Sequence, residues 1–215
     1  ISQSFKLVSE RLEAVYKGLG EMQTVAASVG DLKKGLTNVK ARGVLGEYQL
    51  GAILSEILTN EQYEENVATI PNSRNHVEFA IKLPGDERAV YRPIDSKFPA
   101  DTYEHLQSAY ESGNADEVTA AKKALVQRIK GEAKDIKEKY IMPPYTTGFG
   151  IMFLPFESLY CEAVNMGLLE ILQREYNITI AGPSTMAAML NALQMGFKTL
   201  SVQKKSAEVW NILGG

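Results

Sequence analysis

The feature that most constrains the fold is a pair of alternating segments around one turn. In Val77–Leu83, apolar side chains occupy every second position, which is the pattern of a strand with one buried face. The next residues, Pro84-Gly85-Asp86, have the composition of a turn, and residues 88–98 are typical of a returning strand. The sequence therefore predicts a β-hairpin, in which side chains of the two strands lie next to each other.

Helical patterns lie on both sides of the hairpin. Residues 43–58 carry apolar side chains at helical spacing on one face, and these are Leu50, Ile53, Leu54, Ile57 and Leu58. Pro99 ends the returning strand, and the helix that follows is divided at Ser112-Gly113-Asn114 from a long polar helix that ends near Tyr140. The alternating charges of this long helix indicate a solvated face.

Two short apolar runs complete the domain. Residues 150–154 and 177–181 predict buried strands separated by a helix. Gly182-Pro183-Ser184 predicts the start of a last helix, with Ser184 as its N-cap. The order helix, hairpin, helix, strand, helix, strand, helix predicts an α/β domain with a mixed sheet flanked by helices.

The first 40 residues have a different pattern. Apolar residues recur there at alternating spacings of three and four, as in a coiled-coil seam, beginning with Phe5, Val8, Leu12, Val15, Leu19 and Met22. We therefore expect a long coiled-coil-type helix over residues 1–40, followed by an α/β domain over residues 41–215. The helix either folds back on that domain or joins copies of the chain into a homo-oligomer, and the sequence leaves both open.

Composition limits the chemistry and the location. A net charge of −3 argues against a protein covered in positive charge for nonspecific nucleic-acid binding, although it is compatible with a local basic groove. The single cysteine, Cys161, cannot form an internal disulfide, and no secretory signal is visible, which fits a cytoplasmic location. The sequence begins at Ile1, so we expect a fragment, and any membrane anchor would lie outside it. The two histidines argue against histidine-rich metal sites and favour chemistry by carboxylates and lysine.

Two charged residues near the end of the returning strand point to a metal site. Asp95 and Lys97 are two positions apart, so their side chains emerge on the same face of the strand, about 7 Å apart along the backbone. Glu78 lies on the polar face of the first strand, and the hairpin would bring it beside Asp95. Two carboxylates together are suited to Mg²⁺, which takes oxygen ligands and keeps several waters.

Glu47 is the candidate third acid. At helical spacing it shares a face with Leu50 and Leu54, so its carboxylate would be directed at the core, where a charge needs a partner. A metal held by Glu78 and Asp95, or the ammonium group of Lys97, would be such a partner. The alternative is that Glu47 lies in the first turn of its helix, where the helix dipole favours a negative charge.

Five segments of the chain can be compared with known sequences: residues 42–47 (RGVLGE), 77–85 (VEFAIKLPG), 93–99 (PIDSKFP), 148–157 (GFGIMFLPFE) and 182–185 (GPST). Together they resemble the RmuC family of DNA-recombination proteins. The resemblance extends over nearly all of residues 41–215, and Pro-Ile-Asp-Ser-Lys is its most specific part.

The resemblance implies a nuclease of restriction-endonuclease-like fold that acts on DNA and limits rearrangement at inverted repeats, with a coiled coil before the nuclease domain. By matching positions, Glu47 is implied as the helix acid, Glu78 and Asp95 as the hairpin acids, and Lys97 as the catalytic lysine. The three acids would bind Mg²⁺ or Mn²⁺, and the lysine would position or activate water. The chain departs from the related nuclease pattern at Val77-Glu78, where that pattern has Pro-Asp, and glutamate is longer by one methylene.

Two other functions remain open. A protein of this fold could bind DNA without cutting it, as a scaffold that oligomerises through its helical segment, and a purely structural coiled-coil protein could carry the same charges on its surface. The basic residues near the acids fit either DNA contacts or ordinary surface charges, and these are Arg42, Arg74, Lys82, Arg88 and Arg92. Convergence of the three acids with Lys97 would favour the enzyme, and a displaced Glu78 would favour the binding protein. A Glu47 that points to solvent far from Asp95 would exclude the site. The role of another carboxylate, Glu157, is not assigned by the sequence.

Overall fold

The computed structural model describes the backbone of residues 39–84 and 89–213 and the side chains of residues 43–84 and 89–203. In chain order the elements are α1 (Val39–Ile57), β1 (Tyr63–Val67), β2 (Val77–Leu83), β3 (Val90–Ser96), α2 (Ala100–Ser112), α3 (Ala115–Tyr140), β4 (Gly150–Phe153), α4 (Glu157–Asn165), α5 (Leu168–Tyr176), β5 (Ile178–Ala181) and α6 (Pro183–Leu213).

Part of the expected architecture lies outside these residues. The coiled-coil segment 1–40 is outside them except for its last two residues, which begin α1. Its role in oligomerisation and the domain division at residue 40 stay predictions. Within the described ranges, no helix has the length and apolar character needed to cross a membrane.

The five strands form one mixed sheet in the order β1-β2-β3-β4-β5. β2 is antiparallel to both β1 and β3, whereas β3, β4 and β5 are parallel to one another. The hairpin, the mixed sheet and the α/β class predicted from the sequence are therefore confirmed. Because β3, β4 and β5 are parallel, their carboxyl ends lie at one edge of the sheet, which is where ligands bind in many α/β proteins.

The sheet separates two apolar cores. On one face α1 and α6 pack against the sheet, and the buried residues include Leu50, Leu54, Phe79, Ile94, Phe153, Met186 and Leu190. On the other face α2, α3, α4 and α5 form the second core, whose buried residues include Leu106, Leu125, Ile129, Met152, Leu159, Leu172 and Ile180. Since successive side chains of a strand point to opposite faces, Ile94 and Asp95 lie on different sides of the sheet.

Strand β1, at the sheet edge, is not predicted by the sequence pattern. Its sequence is YEENV, and only Tyr63 in it is buried, so no alternation of apolar and polar residues marks it. The backbone of Asn66 is left-handed, with φ of 49°, and the strand carries two glutamates. Charge and local irregularity are common on edge strands because they discourage pairing with other chains.

The single helix predicted between the last two strands is two helices. They meet at Gly167, whose φ of 73° ends the first helix and is a conformation that side chains other than glycine rarely adopt. The turn at Ser112-Gly113-Asn114 is confirmed, and the Asn114 side chain caps α3 by accepting from the amides of Asp116 and Glu117.

Candidate functional site

The register of the hairpin places Glu78 beside Asp95. Phe79 pairs with Ile94 and Ala80 with Pro93 across the two strands. One further step along this register sets Glu78 opposite Asp95, with both side chains on the sheet face that α3 covers. The strands therefore bring together two of the carboxylates that the sequence proposes for a metal site.

Asp95 and Lys97 form an ion pair at the end of β3. Lys97 Nζ lies 2.6 Å from Asp95 Oδ2, and the Asp95 residue is only 2% exposed. The Lys97 ammonium group is therefore the partner that offsets the buried negative charge on Oδ2. Burial raises the pKa of the Asp95 carboxyl, and the Lys97 ammonium opposes this only in part. Burial acts to lower the pKa of Lys97, but the Asp95 carboxylate outweighs it and the pKa is raised.

Glu78 is held by the backbone of the neighbouring strand. Its Oε2 accepts a hydrogen bond of 2.8 Å from the Ser96 amide. Burial raises the pKa of Glu78 to about 8; the nearby Asp95 carboxylate adds to the rise and the Ser96 amide opposes it. Two carboxyl groups therefore share a poorly solvated position with one ammonium group. A single positive charge cannot stabilise the ionised forms of both carboxyl groups.

Glu47 lies on α1 in a different orientation from the predicted one. The buried row of α1 runs in steps of four through Gly46, Leu50 and Leu54 and continues to Leu58 just after the helix, and Glu47 is exposed beside that row. The prediction that its carboxylate shares the core-facing side with Leu50 and Leu54 is wrong, because those leucines are buried as expected while Glu47 itself is exposed. The alternative first-turn position is also wrong, since α1 begins at Val39. The Glu47 charge nevertheless acts on Glu78 and raises its pKa.

Helix α3 adds charged groups that the sequence pattern does not assign to the site. The charges of Glu132 and Lys139 act on the Asp95 carboxyl, and Glu132 also acts on Lys97. Glu132 is paired with Arg128 at 2.9 Å, and its side chain is only 18% exposed. The backbone oxygen of Tyr140, the last residue of α3, accepts a 2.8 Å hydrogen bond from buried Thr69 in the loop before β2. These residues look like a solvated helix face in the sequence, and only the packing of α3 across the sheet brings them near Asp95.

Most of the described basic residues near the acids have local partners. Lys82 pairs with Glu64 at 3.5 Å, and the Arg92 guanidinium lies 4.3 Å from the centre of the Phe149 ring. Arg74 is exposed in the loop that leads into β2. The side chains of Arg42 and Arg88 lie outside the described residues. Arg74 is therefore the member of this group that the described structure leaves best placed to contact a polyanion.

Glu157 has a structural role at the same edge of the sheet. Its Oε1 accepts a short hydrogen bond from the Ser184 amide in the first turn of α6, and a Cβ built on Gly182 would lie 3.0 Å from its Oε2. The predicted N-cap role of Ser184 is wrong, because α6 already begins at Pro183 and the capping oxygen comes from α4. Glu157 thus ties the starts of α4 and α6 together.

The donor set fits a hard divalent cation, although Glu47 does not converge with the two hairpin acids. Among the described side chains, no group of three or more His, Cys, Asp or Glu residues is arranged to hold a metal ion. The buried Asp95 carboxylate is nevertheless balanced only by the partly exposed Lys97 ammonium among the contacts described, and Glu78 beside it resists ionisation. A bound cation would offset the buried charge of Asp95 and favour the ionised form of Glu78. Mg²⁺ is commonly held by one or two carboxylates together with water and substrate phosphate.

The whole chain matches one family of known proteins. The model of the RmuC family matches residues 1–215. Proteins described as DNA recombination protein RmuC homolog, from two strains of Xylella fastidiosa, are 50% identical over 218 residues, a match that covers 100% of this chain and 48% of each relative. Another of the same description, from Chlamydia pneumoniae, is 29% identical over 181 residues, which is 81% of this chain and 40% of the relative. The chain thus spans about half the length of the curated relatives it matches. No solved structure matches it.

Proposed function

Because the chain belongs to the RmuC family, we propose that it forms the nuclease domain of a DNA recombination protein, with a restriction-endonuclease-like core that hydrolyses DNA phosphodiester bonds. The observation that carries this proposal is the cluster of Glu78, Asp95 and Lys97 on one face of the hairpin, at the edge where the parallel strands end. The names of the relatives support DNA recombination as the setting, and the family resemblance supports inverted repeats as the DNA on which the protein acts.

Glu78 and Asp95 would hold Mg²⁺ or Mn²⁺, and Glu47 would complete the site from α1. A bound cation would supply Lewis-acid stabilisation of the charge that builds up on a phosphate during hydrolysis. Glu47 is exposed, so its carboxylate is free to turn toward the hairpin acids once a cation offsets their repulsion. The glutamate at position 78, longer than the aspartate of the related pattern, is held by the Ser96 amide at the level of Asp95.

The basic residues of the site would orient a water or a phosphate and balance the negative charge of the DNA. Lys97 carries three donors on a side chain that is 29% exposed, so it is able to hold a water or a phosphate oxygen while Asp95 fixes its position. The ion pair keeps Lys97 protonated at neutral pH, which suits a donor better than a general base. Arg74, in the loop before β2, would contact the DNA backbone next to the site.

A cleavage assay tests this function. Labelled linear, hairpin and branched DNA would be incubated with the protein and Mg²⁺ or Mn²⁺, beside Asp95→Ala and Lys97→Ala variants. We expect metal-dependent cutting that both substitutions abolish. Lys134→Ala is the matched control, because Lys134 pairs with Glu138 on the exposed side of α3 and its loss should leave cutting unchanged.

A second function, DNA binding without cleavage, is favoured by one observation. Glu47 is exposed and the three acids do not form a closed ligand set. Under this proposal the domain is a scaffold that binds DNA and oligomerises through its N-terminal segment. DNA binding without cutting, in the presence of either metal, would decide for the scaffold and against the nuclease.

A further inference from the structure

The backbone of α1 approaches the end of β3 closely at Gly46. Gly46 is buried in the interior of the helix, and a Cβ atom built on it would overlap Ser96 Oγ and lie 3.5 Å from Pro155 Cγ. Ser96 ends β3, and Pro155 follows the end of β4. A side chain at position 46 would therefore require either the Ser96 hydroxyl or α1 to move, at the edge of the sheet that carries the acids.

The neighbouring glycines of α1 do not have this constraint. A Cβ at Gly43 would meet nothing within 4 Å. A Cβ at Gly51 would meet only the ring of Phe79, at 3.2 Å. Glycine is unfavourable inside a helix, so the close approach at position 46 gives a reason for its presence that Gly43 lacks.

The contact joins the two parts of the candidate site. Glu47 follows Gly46 directly on α1, and its charge acts on Glu78. On the opposite side, the Ser96 amide binds the Glu78 carboxylate, and Ser96 stands between Asp95 and Lys97 in the chain. The contact therefore lies between the helix acid and the hairpin acids in the chain and in space.

We propose that Gly46 is a positioning residue, which seats α1 against Ser96 so that Glu47 lies within reach of a cation held by Glu78 and Asp95. This inference rests on the proposed function for the identity of the ligand, but its steric basis is the contact of Gly46 with Ser96. Gly46 itself offers no ligand atom, so it acts only through Glu47.

The test uses Gly46→Ala with Gly43→Ala as the matched control, and measures Mn²⁺ affinity by titration calorimetry and folding by thermal unfolding. We expect Gly43→Ala to bind Mn²⁺ as the unaltered protein does. Gly46→Ala should bind Mn²⁺ at least about tenfold more weakly while staying folded, a loss typical of changes behind a ligand.

Two further variants separate positioning from general damage. Replacing the opposing hydroxyl makes room for a methyl group, so Gly46→Ala with Ser96→Ala should bind Mn²⁺ within about threefold of Ser96→Ala alone, as uncoupling of a contact predicts. In a Glu47→Gln background, Gly46→Ala should cause no further loss of affinity, because the residue through which it acts is already neutral.

The outcomes are distinct. Unchanged Mn²⁺ affinity in Gly46→Ala, lack of rescue by Ser96→Ala, or an additive loss in the Glu47→Gln background would each overturn the positioning role. If the unaltered protein bound no Mn²⁺, the proposed function would fall. The steric inference would then be decided by unfolding: a midpoint lowered by Gly46→Ala and restored with Ser96→Ala would support it, and independent effects would overturn it.

Discussion

Two halves of the sheet carry opposite chemistry at the same level. Ile180, Met152 and Asp95 are paired in register across β5, β4 and β3, and the register of the hairpin continues this row to Glu78. All four side chains face the same layer of helices. The half of the row on β4 and β5, called the apolar half, has buried apolar side chains. The half on β2 and β3, called the acidic half, carries the two carboxyl groups.

The difference shows how one layer of helices covers both an apolar core and a cluster of charged groups. Helices α2, α3, α4 and α5 cover β4 and β5 with a continuous apolar core, which gives that half its stability. At β3 the same burial acts on a charge, and it raises the pKa of Asp95 and of Glu78. From β4 to β3, the residues of the row therefore change from apolar side chains that burial stabilises to carboxyl groups whose ionised form burial disfavours.

The most severe way to break this contrast is to move an acid into the apolar half. Met152→Asp would place a carboxylate at a fully buried position without a cation, and we expect it to lower the free energy of unfolding by roughly 4 kcal/mol or to prevent folding. Met152→Leu, the control, should cost less than about 1.5 kcal/mol. Urea unfolding measures both, and similar values for the two variants would mean that water reaches this part of the row.

Removing the ammonium group of Lys97 from the acidic half should destabilise the protein less. Lys97→Met leaves buried Asp95 without its partner, and we expect a loss of roughly 2 to 4 kcal/mol in metal-free protein at pH 7, since Lys97 is partly exposed. Combining it with Asp95→Asn should recover part of that loss, because no charge is then left unpaired. Strictly additive losses in the unfolding experiment would show that the two side chains are independent.

The strands and the hairpin acids are predictable from the sequence because they depend on local periodicity. Alternation in Val77–Leu83 and the spacing of Asp95 and Lys97 fix which side chains share a face, and the register then follows from the hairpin. In contrast, β1 has no alternation to detect, since it is a charged edge strand. The break at Gly167 is marked by only one glycine, which is a weak signal within a helical pattern.

Helix phase and helix packing account for the rest. The outward orientation of Glu47 depends on Gly46 heading the buried row of α1, and glycine has no side chain to mark a face. Likewise Glu132 and Lys139 look like solvated charges until α3 is placed over the sheet. The acids on strands are therefore identifiable from pattern, whereas groups on helices depend on tertiary contacts that a single sequence does not state.

A further prediction concerns the pH dependence of the acidic half. The pKa of Glu78 is raised from 4.5 to about 8, so in metal-free protein the folded state keeps a proton that the unfolded state releases between these values. Stability from this group is fully present below about pH 4.5 and is lost as the pH rises through about 8. Urea unfolding in EDTA at pH 5 to 9 should therefore show a decline that levels off above pH 8 and is absent in Glu78→Gln.

Adding Mn²⁺ sharpens the same experiment. A bound cation favours the ionised carboxylate, so the decline between pH 5 and 8 should shrink in Mn²⁺ for the unaltered protein and stay unchanged for Glu78→Gln. A decline of equal size in the variant would assign the pH dependence to another group. A decline that Mn²⁺ does not alter would keep Glu78 as a buried acid but remove it from the ligand set, because a ligand must lose its proton to bind.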